Sequence, residues 1–329
     1  MKPLLEIHNL SKSFQLTTNT PGARKQLLRA VDNISFALFP GETFGLVGES
    51  GCGKSTTGKL ILRLLDADSG EIIFNGQNLR KIPPDRLRNL RRNMQMIFQD
   101  PFSSLNPRMR IGQIIAEPLK IHGLTGNGDL KESVSRLLET VGLDQSLIDR
   151  FPHEFSGGQR QRIGIARALA VKPQLIVADE PVSALDVSIQ AQVINLMRDV
   201  QKEFGLTYLF IAHDLAVIRH ICDRVAVMYL GRIVELGPAA ALYTSPRHPY
   251  TEALLASVPV PDPEAKKTFS ALPGEVPSPV NPPNGCHFHP RCRYARDICK
   301  IKAPELLNIE EDREVACHFS DQVGRIKSE

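Results

Sequence analysis

The chain has 329 residues, 42% hydrophobic and 23% charged, with a formal net charge of +4; this is ordinary globular composition, long enough for a large core and a smaller appendage. The mild, dispersed basicity does not require a nucleic-acid partner, and no apolar run approaches the about 18 residues of a membrane-spanning helix. The start, Met1-Lys2-Pro3-Leu4-Leu5-Glu6, lacks the apolar stretch of a signal peptide, so the expected setting is cytosolic and the six cysteines are expected not to be disulfides.

Strand patterns are predicted over 4–10 and 31–47, and the apolar run Thr43-Phe44-Gly45-Leu46-Val47 leads into Gly48-Glu49-Ser50-Gly51-Cys52-Gly53-Lys54-Ser55-Thr56. This loop fits G-x-x-x-x-G-K-[ST]. Small residues let backbone N–H groups converge on phosphate oxygens. Lys54 adds a point charge for the β- and γ-phosphates, and Ser55 a hydroxyl for Mg²⁺. A helix is predicted over Lys54 to Leu65, with Leu60, Ile61, Leu64 and Leu65 on one face. Residues 107–168 read as mostly helical. Within them Phe155-Ser156-Gly157-Gly158-Gln159 opens a helix whose N-terminus suits phosphate. Buried strands are predicted over 174–179 and 206–212, as continuous apolar runs. The first ends in Asp179, suited to Mg²⁺, and Glu180, suited to polarise an attacking water. From about residue 245 the chain becomes Pro-rich, with a connection over 259–284 that cannot form long helices, and holds four of the six cysteines. No internal repeat is present.

Together the three motifs closely resemble the ATPase subunit of an ATP-binding-cassette transporter, over nearly all of residues 4–245. The family has Leu where this chain has Phe155, a hydrophobic swap. The resemblance implies an α/β fold: a P-loop NTPase (RecA-like) core with an antiparallel β subdomain and a helical signature subdomain. Residues 1–245 would form the ATP-binding domain, with a helical insertion at about 100–168, and 246–329 a small cysteine-containing extension. It implies that ATP is bound by Gly48, Ser50, Gly51, Cys52, Gly53, Lys54, Ser55 and Thr56. The nucleotide site is completed by Ser156, Gly157, Gly158 and Gln159 and by Asp186 of the Ser183–Asp186 loop, with Phe14 stacking on adenine. Gln99 would join Ser55 and Asp179 at Mg²⁺ and sense the membrane partner; Glu180 and His213 would complete the hydrolytic set.

Pro246-Arg247-His248-Pro249-Tyr250-Thr251 and Asp100 to Arg108 resemble the oligopeptide/dipeptide importer branch. Membership of that branch implies peptide import powered by ATP from the cytoplasmic membrane face. The expected partners are a second ATPase chain, by preference a paralogue, two permease subunits and an extracytoplasmic solute-binding protein. Residues 100–120 are expected to receive the permease. Import of nickel or another small solute, a non-transport ATPase of the superfamily, and a binding module centred on the cysteine tail are the alternatives. A long coiled coil, as in the repair ATPases, is not found between the phosphate loop and Ser156. Cys286, Cys292, Cys299 and Cys317 are separated by five, six and seventeen residues. Those gaps match neither close zinc pairs nor the ferredoxin runs. The resemblance to this importer branch implies a [4Fe–4S] cluster on the four thiolates, with Zn²⁺ the second choice.

Overall fold

The computed structural model describes residues 1–16, 26–125, 130–257 and 274–324. Pro259, Pro261, Pro263 and Pro273 of the Pro-rich connection lie outside them. The chain falls into two compact units: Met1–Leu4, Leu38–Thr43 and Lys81–Ile211 form one, and Leu5–Ala37, Phe44–Arg80 and Ala212–Glu329 the other.

In the first unit, strand Leu175–Asp179 is flanked in parallel by Met94–Ile97 and Thr207–Ala212. Every residue of Leu175–Asp179 is buried, which is why the segment reads as one apolar run rather than an alternation. The expected helical stretch resolves into Ile111–Ile121, Leu130–Thr140 and Gly157–Leu169, linked partly by 3₁₀ turns at Gln145–Asp149 and Pro152–Glu154. Gly157–Leu169 buries Ile163, Gly164, Ile165 and Ala166 in succession, with Gln161, Ala168 and Leu169, so most of its circumference is covered. Helix Val187–Phe204 ends where Gly205 takes a left-handed conformation, φ 63°.

In the second unit, Leu5–Leu16 lies between Gln26–Leu38 and Ser69–Phe74 in an antiparallel sheet completed by Gln77–Asn78. Thr43–Val47 pairs in parallel with Arg224–Tyr229, with Phe44 opposite Arg224 and Val47 opposite Val227. Arg224–Tyr229 pairs in turn with Arg232–Pro238, and the tail hairpin Leu307–Glu310 and Arg313–Val315 continues that antiparallel run, with Glu235 opposite Val315. The predicted strand over 31–47 is therefore two strands broken by a turn at residues 39–42.

The helix predicted from Lys54 to Leu65 ends at Ile61. Arg63 turns left-handed, φ 50°, and its guanidinium donates to the Leu79 carbonyl at 3.1 Å. The chain leaves the helix there, so Leu64 is 48% exposed rather than part of the buried face.

Candidate nucleotide and hydrolysis site

In the second unit the buried strand Thr43–Val47 delivers the phosphate loop, and helix Lys54–Ile61 leaves it. Gly48, Gly51 and Gly53 have φ of 154°, 79° and 108°. A Cβ on Gly48 would stand 2.2 Å from the Met228 carbonyl oxygen, and one on Gly53 2.0 Å from that of Ala30. Sterics therefore require glycine at both positions. At Gly51 a Cβ would meet nothing within 4 Å, so that side of the loop is open to a ligand. Lys54 is buried, and its Nζ donates to the Gly48 carbonyl at 2.7 Å and the Glu49 carbonyl at 2.9 Å. The ammonium is thus held against the loop backbone. Cys52 is buried, which pushes its thiol pKa up; it is a packing residue whose carbonyl accepts from Gly231 N–H at 2.9 Å. Ser55 and Thr56 follow on the first turn of the helix. Phe14 is half-buried on strand Leu5–Leu16, with the Lys12 ammonium 5.6 Å from its ring centroid. His213 follows strand Thr207–Ala212 with an exposed side chain.

In the first unit the carboxyl ends of the parallel strands carry the acidic groups, as open α/β sheets do. Asp179 is buried at the end of its strand. Glu180, one residue on, has φ 46°, a left-handed conformation that is uncommon for a residue with a side chain. Its N–H donates to the Ile211 carbonyl at 2.9 Å, and its carbonyl accepts from Ser183 Oγ at 3.1 Å. These bonds fix the backbone and aim the carboxylate, whose Oε2 accepts from Gln99 Nε2 at 2.8 Å. Two residues read separately in the sequence, 81 positions apart, meet directly.

Ser156 caps helix Gly157–Leu169: its Oγ accepts from Gln159 N–H at 3.3 Å, and the Gln159 side-chain oxygen accepts from Ser156 N–H at 3.0 Å. This reciprocal cap explains the Ser and Gln spacing. Gly158 is required by packing, because a Cβ there would lie 2.5 Å from Ile189 Cγ2. Phe155 is buried, filling the place of the family's Leu. Asp186 stands at the N-cap of helix Val187–Phe204, and its side chain makes no capping bond.

The cysteine expectation is corrected. Cys286, Cys292, Cys299 and Cys317 line one small cavity of about 10 Å³, room for about one water and far too little for four irons and four sulfides. Burial pushes the thiol pKa of Cys286 up, that of Cys292 to about 11 and that of Cys317 to about 12. Among the described residues no group of three or more His, Cys, Asp or Glu is placed to hold a metal ion. Neither the [4Fe–4S] cluster nor its zinc alternative is supported.

Sequence reasoning missed Arg291 and Tyr250, which contact the phosphate loop at Glu49. No local pattern could have found Arg291, 242 positions away. Tyr250 sits inside the Pro246–Thr251 run but carries no motif of its own.

The ABC transporter family model matches residues 31–183, and the model for the oligopeptide/dipeptide transporter C-terminal region matches residues 234–299. The oligopeptide transport ATP-binding protein AppF of Bacillus subtilis is 53% identical over 319 residues, covering 96% of this chain and 97% of that protein. The oligopeptide transport ATP-binding protein OppF of Haemophilus influenzae is 52% identical, covering 95% and 96%. Among solved structures, a dimer of the ATP-binding cassette MJ0796 in a post-hydrolysis state with ADP and phosphate superposes with a TM-score of 0.64 at 26% identity, covering 71% of this chain and 98% of that one.

Proposed function

Because the chain belongs to the ATP-binding-cassette transporter ATPases, we propose that it hydrolyses ATP to power import of an oligopeptide or dipeptide through separate membrane permeases. The observation that carries this reading is one chain holding both a hydrolytic motif set and the oligopeptide/dipeptide transporter C-terminal region.

The donor chemistry suits Mg²⁺–ATP. Phosphate oxygens would be received by the N–H groups of Gly48 to Thr56 and by the Lys54 ammonium. The Ser55 hydroxyl, the Asp179 carboxylate and the Gln99 amide oxygen are the hard oxygen donors that Mg²⁺ takes. When bound, Mg²⁺ neutralises charge on the β- and γ-oxygens. Glu180 takes the proton of the attacking water, and the hydrogen bond from Gln99 orients its carboxylate. His213 serves the γ-phosphate side, Phe14 the adenine, and Ser156, Gly157, Gly158, Gln159 and Asp186 the nucleotide of a paired ATPase chain. We take residues 1–245 as the ATP-binding domain, with its helical insertion near 100–168, and 246–329 as the extension.

The assembly we propose is two ATPase chains, this one and a paralogue, on two permease subunits at the cytoplasmic membrane face, fed by an extracytoplasmic solute-binding protein. Among the described residues no helix is long and apolar enough to cross a membrane. The permease contact is assigned to Gln99 and the segment near 100–120. There Phe102 is 60% exposed, and the Arg160 guanidinium lies 3.9 Å from its ring centroid. Cysteine crosslinking from this segment to cytoplasmic loops of the copurified permease is the test. Crosslinks at one or more positions are expected; failure at every position would remove the assignment. Native mass spectrometry of the extracted complex should find one copy of this chain, and two copies would refute the paralogue.

A further inference from the structure

Glu49 is gripped twice by residues far along the chain. Arg291 Nη1 donates to Glu49 Oε2 at 2.8 Å, and Nη2 donates to Oε1 at 3.0 Å. The Glu49 N–H donates to the Tyr250 hydroxyl at 2.8 Å. Both partners are buried: the Arg291 side chain is 5% exposed, and Tyr250 packs against Tyr229 and Phe288 with ring centroids 4.7 and 5.4 Å away. A cavity of about 210 Å³ beside them is lined by Glu49 to Cys52 on one side and Val276 to Pro279 on the other.

The fork-to-fork geometry has a specific consequence. Glu49 places a carboxylate inside a loop whose ligand carries several negative charges. Left unpaired, that carboxylate would repel phosphate. A bidentate guanidinium cancels the charge and fixes the carboxylate's direction, while the Tyr250 bond fixes the adjoining backbone. A lysine could supply the charge but not the fork.

We propose that Arg291 is a positioning residue for nucleotide binding. Paired with Glu49, and with Tyr250 on the backbone, it neutralises the acid built into the phosphate loop and holds that loop in its phosphate-receiving form. The extension thereby takes part in binding ATP. This rests on the reading of Gly48 to Thr56 as the phosphate loop.

The test is a double-mutant cycle in the full chain, read as the Kd for Mg²⁺ with a non-hydrolysable ATP analogue and as kcat and KM for phosphate release. Arg291→Ala should raise Kd and KM about tenfold with kcat within about twofold, the scale expected for an uncompensated neighbouring charge. Glu49→Gln is the reference arm of the cycle, and adding it to Arg291→Ala should bring Kd back close to that of Glu49→Gln alone. Arg291→Lys should fall between the wild type and Arg291→Ala, and it carries the same cycle if Arg291→Ala does not fold. A Kd unchanged in the Arg291 variants overturns the proposal. So does a loss that persists in the Glu49→Gln background, as general destabilisation would give. A wild-type chain that does not bind the analogue removes the phosphate-loop reading itself, and the proposal with it.

Discussion

At the ends of the parallel strands of the first unit, Gln99 and Glu180 sit on or near the surface, and Glu180 adopts an uncommon left-handed backbone. Where strand Arg232–Pro238 meets the extension beyond residue 245, a cluster of polar groups is buried and paired instead. Glu235 is fully buried; its carboxylate accepts from Arg313 Nη2 at 2.8 Å and from the N–H groups of Arg247 and His248, each at 2.9 Å. His248 Nδ1 accepts from Tyr250 N–H at 3.0 Å, its ring centroid lies 5.7 Å from that of Phe288, and Phe288 packs in turn against Tyr229 and Tyr250. The first region leaves polar side chains accessible and tolerates local strain. The second uses its polar groups to order a segment with little apolar core. Substitution of Glu180 should change turnover while leaving stability alone, and substitutions in the cluster around Glu235 the reverse.

The sharpest contrast is Glu180→Gln. Hydrolysis should fall about 10²- to 10⁴-fold, the range of a positioned acid–base group, while nucleotide binding and the unfolding midpoint hold. Turnover within a few-fold of wild type would break the comparison. Arg313→Ala should do the opposite. It strands a buried carboxylate at a cost of about 3 kcal/mol, visible as a lower urea midpoint. The chain has no Trp and five Tyr, so tyrosine emission can follow the transition. Per-molecule ATPase activity of the folded fraction should stay near normal. Lys54→Ala should act earlier in the cycle than Glu180→Gln, weakening nucleotide binding about thirtyfold by loss of a charge-assisted contact. A binding constant that does not move would detach Lys54 from the phosphates.

The smallest effect is a pH dependence. Burial holds the His248 pKa down to about 3, against about 6.5 in an unfolded chain. Above pH about 6.5 the imidazole is neutral in both states and stability is at its full value. Below that the unfolded chain takes up a proton that the folded chain refuses, so stability falls, by about 1.4 kcal/mol at pH 5.5. His248→Asn, which keeps an acceptor for Tyr250 N–H, should flatten that part of the slope. An unchanged slope would assign it to other groups.

The phosphate loop was legible in sequence because backbone sterics tolerate only glycine at Gly48 and Gly53, and a requirement that strict leaves a pattern. The buried strands were legible for the same reason, since burial on both faces permits only apolar residues. The end of the helix at Ile61 was not, because it depends on Arg63 finding the Leu79 carbonyl from outside the local window. The cysteines show a different limit. Their clustering was correctly seen, for all four line one cavity, but neither the cavity's volume nor the raised thiol pKa of Cys292 and Cys317 is written in their spacing. The resemblance supplied a cluster that the packing does not accommodate. The contact between Gln99 and Glu180 lay between these cases: both residues were read, but their hydrogen bond was not.

The most direct test of the central claim is coupled transport in proteoliposomes holding this chain, its cognate ATPase and permease partners and the solute-binding protein. Labelled oligopeptide uptake and phosphate release are followed together. Uptake should require Mg²⁺–ATP, phosphate release should be stimulated by peptide-loaded receptor, and both should be lost in Glu180→Gln. Phosphate release indifferent to peptide, or uptake that survives in Glu180→Gln, would contradict that claim.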